Sequence, residues 1–335
     1  MSSPPLRVGV AGLGLIGGSA IQRLASLPAR FAVAGFDPDP AAAGAARAAR
    51  LPVAASVAEL AAGSDVVLAA VPPAATAGVV LDALGASEAA VTDTASAKAG
   101  VLGAVAASAG DALGRYVPGH PLAGSEAGGW AAARPDLLDG AVWALCPPAP
   151  DAPAAALTAV AAVLDAFEPR IAVCTAADHD EAVARTSHAP HVVAELVAAA
   201  ARHGREPRLA ALLSGGALRD MTRVAAADPG LWQQILAANR PATVAALDAW
   251  LSEAGRLRDA IAAGDDGAVA AAWLAGAQAR AAIDAARWHA PAWEPAAFPW
   301  PAWDALLELG RAGRPVRRLR LDGDVLHAEV GALPA

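Results

Sequence analysis

The sequence predicts an α/β protein: a doubly wound parallel sheet, then an all-α domain and a short C-terminal appendage. Three observations carry this. Through the first half, short Val/Ile/Leu runs alternate with longer Ala-rich helical stretches, as in successive βαβ units. From residue 178 to about 287 nearly everything reads as helix, and from 288 the chain turns Pro- and Trp-rich. With 335 residues there is room for about two domains. The boundaries fall at 1–175 for a nucleotide-binding domain, 176–289 for a helical domain and 290–335 for the tail.

In chain order, strands are expected at 7–10, 32–36, 66–70, 90–93, 116–119, 141–146 and 170–174. The helical region is broken at Gly204, at Ser214-Gly215-Gly216, at Asp228-Pro229-Gly230 and at Gly264-Asp265-Asp266-Gly267. In the tail, residues 316–330 read as a hairpin about Asp322-Gly323. Trp293, Trp300 and Trp303 are expected to cover an apolar face of the helical domain.

Composition narrows the function. At 56% hydrophobic and 17% charged, with mean hydropathy +0.40, the chain is a packed globular protein and not a disordered one. The longest apolar run, 66–81, is interrupted by Pro72-Pro73, and the N-terminus lacks a basic region followed by an apolar stretch, so neither a membrane span nor secretion is predicted. Two cysteines, Cys146 and Cys174, fit a reducing cytosol. A net charge of −8 argues against a nucleic-acid partner and leaves an anionic small molecule, gripped by local cations.

The first strand runs into Gly12-Leu-Gly14-Leu15-Ile16-Gly17, a G-x-G-x-x-G motif. Its glycines allow, in turn, the tight turn, backbone approach to a pyrophosphate and close helix packing, so the strand, motif and helix define a Rossmann-type site. Asp37 ends the second apolar run 25 residues after Gly12, placed to accept hydrogen bonds from an adenosine ribose and to repel a 2′-phosphate, which favours NAD over NADP. Val71 and Pro72 follow the next strand and shape the cofactor slot.

Three further segments fall where the sheet edge meets the helical domain: Thr92-Asp93-Thr94-Ala95-Ser96-Ala97-Lys98, Gly119-His120-Pro121-Leu122-Ala123-Gly124-Ser125-Glu126, and the helical pair of Ser187-His188-Ala189-Pro190-His191 with Arg219-Asp220-Met221-Thr222-Arg223. His188 and His191 stand at i and i+3, but no glutamate follows the first and no cysteine is near, so no metal site is predicted. Arg219 and Arg223, at i and i+4, would present two guanidinium groups on one helical face. Lys98, the only lysine, reads as a solvated side chain.

With these motifs in this order, residues from about 6 to 288 resemble the prephenate and arogenate dehydrogenase family of tyrosine biosynthesis. The resemblance implies NAD-dependent oxidative decarboxylation of a small dianionic substrate by a homodimer joined through the helical domain. It makes His120 the base, since an imidazole titrates near neutrality, and Ser96 the hydroxyl that orients substrate and base. Arg223 would bind the ring carboxylate and His191 the side-chain carboxylate. Gly215 and Gly216 would approach the ligand by backbone, Trp232 would pack at its pocket, and Ser125 and Glu126 would stand at its entrance. His188 would be structural or near the cofactor, and Asn239-Arg240 would cap or line the same region. Three rivals stay open at this point: a 4-amino-4-deoxyprephenate dehydrogenase, a non-catalytic NAD-sensing module, and a 3-hydroxyacid dehydrogenase, which would need a helical-domain lysine that the chain lacks.

Overall fold

A computed structural model describes residues 4–125, 127–148, 153–203, 205–288 and 290–332. Five apolar runs pair side by side as a parallel sheet: β1 (Leu6–Ala11), β2 (Phe31–Phe36), β3 (Val66–Ala69), β4 (Ala90–Asp93) and β5 (Tyr116–Val117), in the order β2-β1-β3-β4-β5. All four residues of β3 and of β4 are buried, the mark of a parallel sheet covered by helices on both faces. The chain leaves β1 toward β2 on one side and returns at β3 on the other. The carboxyl ends of β1 and β3 therefore flank a crevice at the switch point, where such sheets bind ligands.

The expected strand over 116–119 is divided. Pro118 has no N–H to continue a ladder, and its carbonyl instead accepts the Cys146 N–H at 2.9 Å, handing the chain to a second sheet. That sheet holds β6 (Gly119–Pro121), β7 (Val142–Leu145), β8 (Arg170–Val173), β9 (Ala292–Pro299), β10 (Val316–Asp322) and β11 (Val325–Ala332), in the order β6-β7-β8-β10-β11-β9. The hairpin expected in the tail is β10-β11, turning at Gly323 with φ +56°.

The tail corrects one expectation. Its tryptophans do not cover the helical domain. β10 pairs with β8 through Val316 and Ile171, so residues 290–332 extend the sheet begun by the first domain. Trp303 is 1% exposed and packs in one core cluster with Trp143, Phe167, Leu306, Leu319 and Leu326. Trp300 meets it edge to face at 5.4 Å, and Trp293 lies under the Arg317 guanidinium at 4.1 Å. The tail helix Trp303–Arg311 sits so close to β8 that a methyl group on Gly310 would lie 1.8 Å from the Val173 carbonyl. The physical reason is the open edge of β8, which this segment satisfies, while Pro295 and Pro299 are tolerated on the outermost strand, β9.

Between these sheet segments the chain is helical, from Ala176–Val183 through Ala189–Ala200 to the long pair Arg240–Ala263 and Asp266–Trp288, which reverse at Gly264 with φ +66°. The long helices leave Trp250, Leu251, Ile261, Trp273, Leu274 and Ile283 exposed. Among the described residues no helix is long and apolar enough to cross a membrane.

Candidate active site

The dinucleotide loop is shaped as its glycines require. Gly12 has φ +92°, and a methyl group there would lie 2.3 Å from the Ala70 carbonyl; one on Gly17 would lie 1.9 Å from the Gly12 carbonyl. Gly14 is different, with open space where its side chain would be. It precedes helix Leu15–Ala25, whose N-terminus has no side-chain cap and no acidic residue in its first turn. Gly18 N–H makes the first helical bond, to the Gly14 carbonyl, leaving the amides of Leu15, Ile16 and Gly17 ahead of it to meet an anion. Asp37, just past β2, accepts from Leu13 N–H at 2.7 Å and Asp39 N–H at 2.8 Å, so its carboxylate is fixed beside the loop. Val71 and Pro72 follow β3 on the other wall of the crevice, where Pro72 caps helix Pro73–Ala86. An open cradle, uncapped amides and a fixed carboxylate acceptor fit the pyrophosphate and ribose of NAD.

Lys98 is not solvated. It is 0% exposed, and its ammonium pairs with Asp93 and donates to the Gly119 carbonyl at 2.6 Å. Asp93 also accepts from Tyr116 Oη at 2.6 Å, Ala95 N–H at 2.7 Å and Gly119 N–H at 3.3 Å. Burial and the neighbouring Asp93 charge push the Tyr116 phenol well above its ordinary value. This network locks the ends of β4 and β5 to β6, which crosses so closely that a methyl on Gly119 would lie 2.8 Å from the Asp93 carbonyl. His120 is thereby held beside the 94–98 loop, on which Ser96 is half-buried.

Two histidines and a carboxylate converge on His120. Its Nδ1 lies 2.9 Å from His179 Nε2, and His179 Nδ1 lies 2.8 Å from Asp180 Oδ1. His179 and Asp180 are 3% and 6% exposed. Asp180 further accepts from Lys98 N–H at 2.7 Å and Ala99 N–H at 2.9 Å. Burial works to raise its pKa, but the bonds from His179, Lys98 and Ala99 outweigh it and hold the carboxylate below the usual range. Burial, followed by the charges of His179, Lys98 and His188, keeps His120 well below 6.5 and so neutral near pH 7. Asn239 donates its two amide hydrogens to the Asp180 carbonyl at 2.7 Å and to His188 Nδ1 at 3.1 Å, and burial lowers His188 to about 4. His188 ends a π-turn, Ala184–His188, a helical irregularity common at functional sites that also accommodates Pro190.

The helical wall adds Trp232, which stacks on His191 at 3.8 Å and meets His188 edge to face at 6.2 Å. His191 Nδ1–H donates to the Ser187 carbonyl at 2.8 Å, and burial, offset by that bond, keeps the ring below its ordinary value, with the Arg223 charge acting the same way. The neutral ring therefore offers a lone pair at Nε2. Arg219 and Arg223 also do not share one uninterrupted α-helix: helix Gly216–Thr222 ends first, and Arg223 opens a 3₁₀ turn, Arg223–Ala226. Gly215 and Gly216 are exposed, with open space around them. Ser125 is exposed and donates to the Ala127 carbonyl at 2.8 Å; Glu126 lies outside the described residues. Among the described residues no group of three His, Cys, Asp or Glu side chains is arranged to hold a metal.

His179 and Asp180 were not singled out in the sequence, where Asp178-His179-Asp180 in the first turn of a helix capped by Thr175 looks like a solvated face. Asn239, the only asparagine, carried a faint compositional signal.

These features define a dinucleotide-binding α/β domain whose sheet edge faces a helical domain rich in buried histidine. Residues 25–173 match the prephenate dehydrogenase nucleotide-binding domain and residues 175–273 the prephenate dehydrogenase dimerization domain, together most of the chain; it belongs to the prephenate dehydrogenase family. It is 38% identical over 151 residues to a cyclohexadienyl dehydrogenase of Zymomonas mobilis, an alignment covering 44% of this chain and 51% of that one. It is 30% identical over 146 residues to the prephenate dehydrogenase of Bacillus subtilis, covering 43% and 39%. The chain thus aligns with about half or less of these relatives' length. The Aquifex aeolicus prephenate dehydrogenase structure, with hydroxyphenyl propionate and NAD+, superposes with a TM-score of 0.76 at 24% identity, over 85% of this chain and 100% of that one. Synechocystis arogenate dehydrogenase superposes with a TM-score of 0.70 at 25% identity, over 83% and 100%.

Proposed function

We propose that this chain is an NAD-dependent dehydrogenase that oxidatively decarboxylates prephenate or arogenate, with His120 as the base. The observation that carries this is the imidazole of His120, held at the sheet edge by the Asp93–Lys98–Gly119 network and bonded through His179 to Asp180, with burial keeping it below its ordinary value. NAD, when bound, supplies the hydride acceptor. His120 removes the proton of the ring hydroxyl as the adjacent C–H bond breaks, and Ser96, on the neighbouring loop, orients that hydroxyl. Arg223 holds the ring carboxylate, fixing the substrate for a loss of carbon dioxide that aromatisation drives. Trp232, Gly215 and Gly216 complete the pocket, with Ser125 and Glu126 at its mouth.

His191 bears on the choice of substrate. A lone pair at its Nε2 suits the ammonium of arogenate better than the keto group of prephenate, so arogenate is favoured. The exposed apolar residues of the two long helices support a homodimer, which light scattering tests. The free thiols of Cys146 and Cys174, 3.9 Å apart, suit a reducing cytoplasm.

The test is a steady-state assay with prephenate and arogenate, each with NAD and NADP. NAD-linked turnover, larger for arogenate, is expected. No turnover with either substrate overturns the assignment, and a preference for prephenate overturns the role of His191.

A further inference from the structure

The hydrogen-bond chain from Asp180 to His120 admits one arrangement of protons when all its rings are neutral. The Asp180 carboxylate can only accept, so His179 Nδ1 carries the hydrogen of the 2.8 Å bond. His179 Nε2 then holds a lone pair and accepts across the 2.9 Å contact, which requires the hydrogen on His120 Nδ1. What remains on His120 is a lone pair at Nε2. The His179 ring could present either a lone pair or a hydrogen to His120 Nδ1, and the Asp180 carboxylate decides which.

We propose that His179 and Asp180 are positioning residues for the reaction: Asp180 sets the tautomer of His179, His179 sets that of His120, and the relay leaves His120 Nε2 as the nitrogen that takes the substrate proton. The inference rests on His120 being the base. In the step itself the substrate O–H bond breaks and an N–H bond forms at Nε2, so His120 becomes a cation whose Nδ1–H still points along the chain toward the Asp180 carboxylate. His120 then gives that proton back to the phenolate oxygen formed as the ring carboxylate leaves as carbon dioxide, which restores the neutral ring.

The surroundings make such compensation necessary. His120 faces the Lys98 ammonium from the β4 loop, His179 from helix Ala176–Val183 and His188 from the π-turn, all of which oppose a positive charge on it. The Lys98 charge is in turn paired with Asp93. Asp180 is the carboxylate connected to His120 by hydrogen bonds. It is locked in place by two backbone amides at the start of helix Ala99–Ala106, and its own carbonyl is held by Asn239.

Three variants of the full chain test this: Asp180→Asn, His179→Gln and His179→Leu. In Asp180→Asn the carboxamide can donate to His179 Nδ1, which moves the His179 hydrogen to Nε2 and reverses the tautomer of His120. We expect kcat to fall by about 10²–10⁴-fold, the scale seen when a carboxylate that orients a catalytic histidine is neutralised, with KM and NAD affinity within threefold of the parent. His179→Gln keeps an acceptor at the Nε2 position and should retain kcat within about tenfold, whereas His179→Leu should lose at least a hundredfold. A second readout needs no substrate: ¹⁵N NMR of imidazole-labelled protein should show His120 protonated at Nδ1 in the parent and at Nε2 in Asp180→Asn. A parent protonated at Nε2, or Asp180→Asn turning over within threefold of the parent, overturns the relay. So does a loss of kcat that appears only together with lost NAD affinity and a lowered Tm in all three variants. If His120→Asn keeps its turnover, the base assignment fails instead, and the NMR result still reports on the proton arrangement.

Discussion

The two walls of the cleft are built from opposite materials. Around His120, the sheet-edge residues Asp93, Lys98, Tyr116 and Gly119 and, from helix Ala176–Val183 packed against them, His179 and Asp180 are buried and tied together by hydrogen bonds from backbone and side chain. On the helical side, Gly215, Gly216, Arg219 and Arg223 lie on short, exposed helical segments, and the long helices behind them present bare apolar side chains. Proton transfer needs a group held within a fraction of an ångström, and a buried network without slack supplies this. Gripping a carboxylate tolerates a mobile arm, because a guanidinium binds through charge and a planar fork. The difference suggests that changes on the sheet wall act on turnover and folding, and changes on the helical wall act on affinity.

The sharpest break in that division is His120→Asn, which should lower kcat about a thousandfold, roughly 4 kcal/mol of barrier, while calorimetry shows unchanged NAD affinity. Turnover near that of the parent would remove the sheet wall from the chemistry. Next is Lys98→Met, which leaves the Asp93 carboxylate buried without its cation and should cost about 3 kcal/mol of stability, read as a lower urea midpoint. A variant as stable as the parent would show that the network is not what holds this wall. Arg223→Ala should raise KM about 30- to 100-fold with kcat within threefold. A collapse of kcat at constant KM would erase the contrast between the walls.

The smallest expected effect concerns pH. His188 falls from 6.5 to about 4 in the folded protein, so below pH 6.5 the unfolded chain binds a proton that the native chain refuses. Its contribution is complete above pH 6.5 and is lost as pH falls toward 4. After discounting for partial access to the cleft, the loss is about 1–2 kcal/mol. Urea denaturation at pH 7 and pH 4.5 should show that the parent loses more stability than His188→Gln; equal losses would rule out His188 as the source. His120 shifts in the same direction, so the acid limb of kcat/KM should fall below pH 6.5.

Much of this was legible from local pattern. The seven expected strands stand within a residue or two of those observed, except at Pro118, and the close packing of Gly17 on Gly12 follows from the motif's spacing, whereas the carbonyl that crowds Gly12 belongs to Ala70, 58 residues on. Lys98 was misread because a lysine between alanines has no local reason to be buried; one partner, the Gly119 carbonyl, lies 21 residues on. His179 and Asp180 were invisible for the same reason, since an acidic helical turn looks solvated until His120 arrives 59 residues away in sequence. The tail tryptophans were sent to the wrong surface because nothing in their own segment reveals that β8 has a free edge.

The amino-acid order by itself determined the periodicities, the turn signals and the carboxylate at the end of β2, all set by sterics and hydrogen bonding over a few neighbouring residues. Only the tertiary structure decided that the tail completes the second sheet, that the single lysine is buried, and that an aspartate and a histidine stand behind His120. Those outcomes depend on which distant groups meet when edges and charges are satisfied together, and burial fixes that for the whole chain at once.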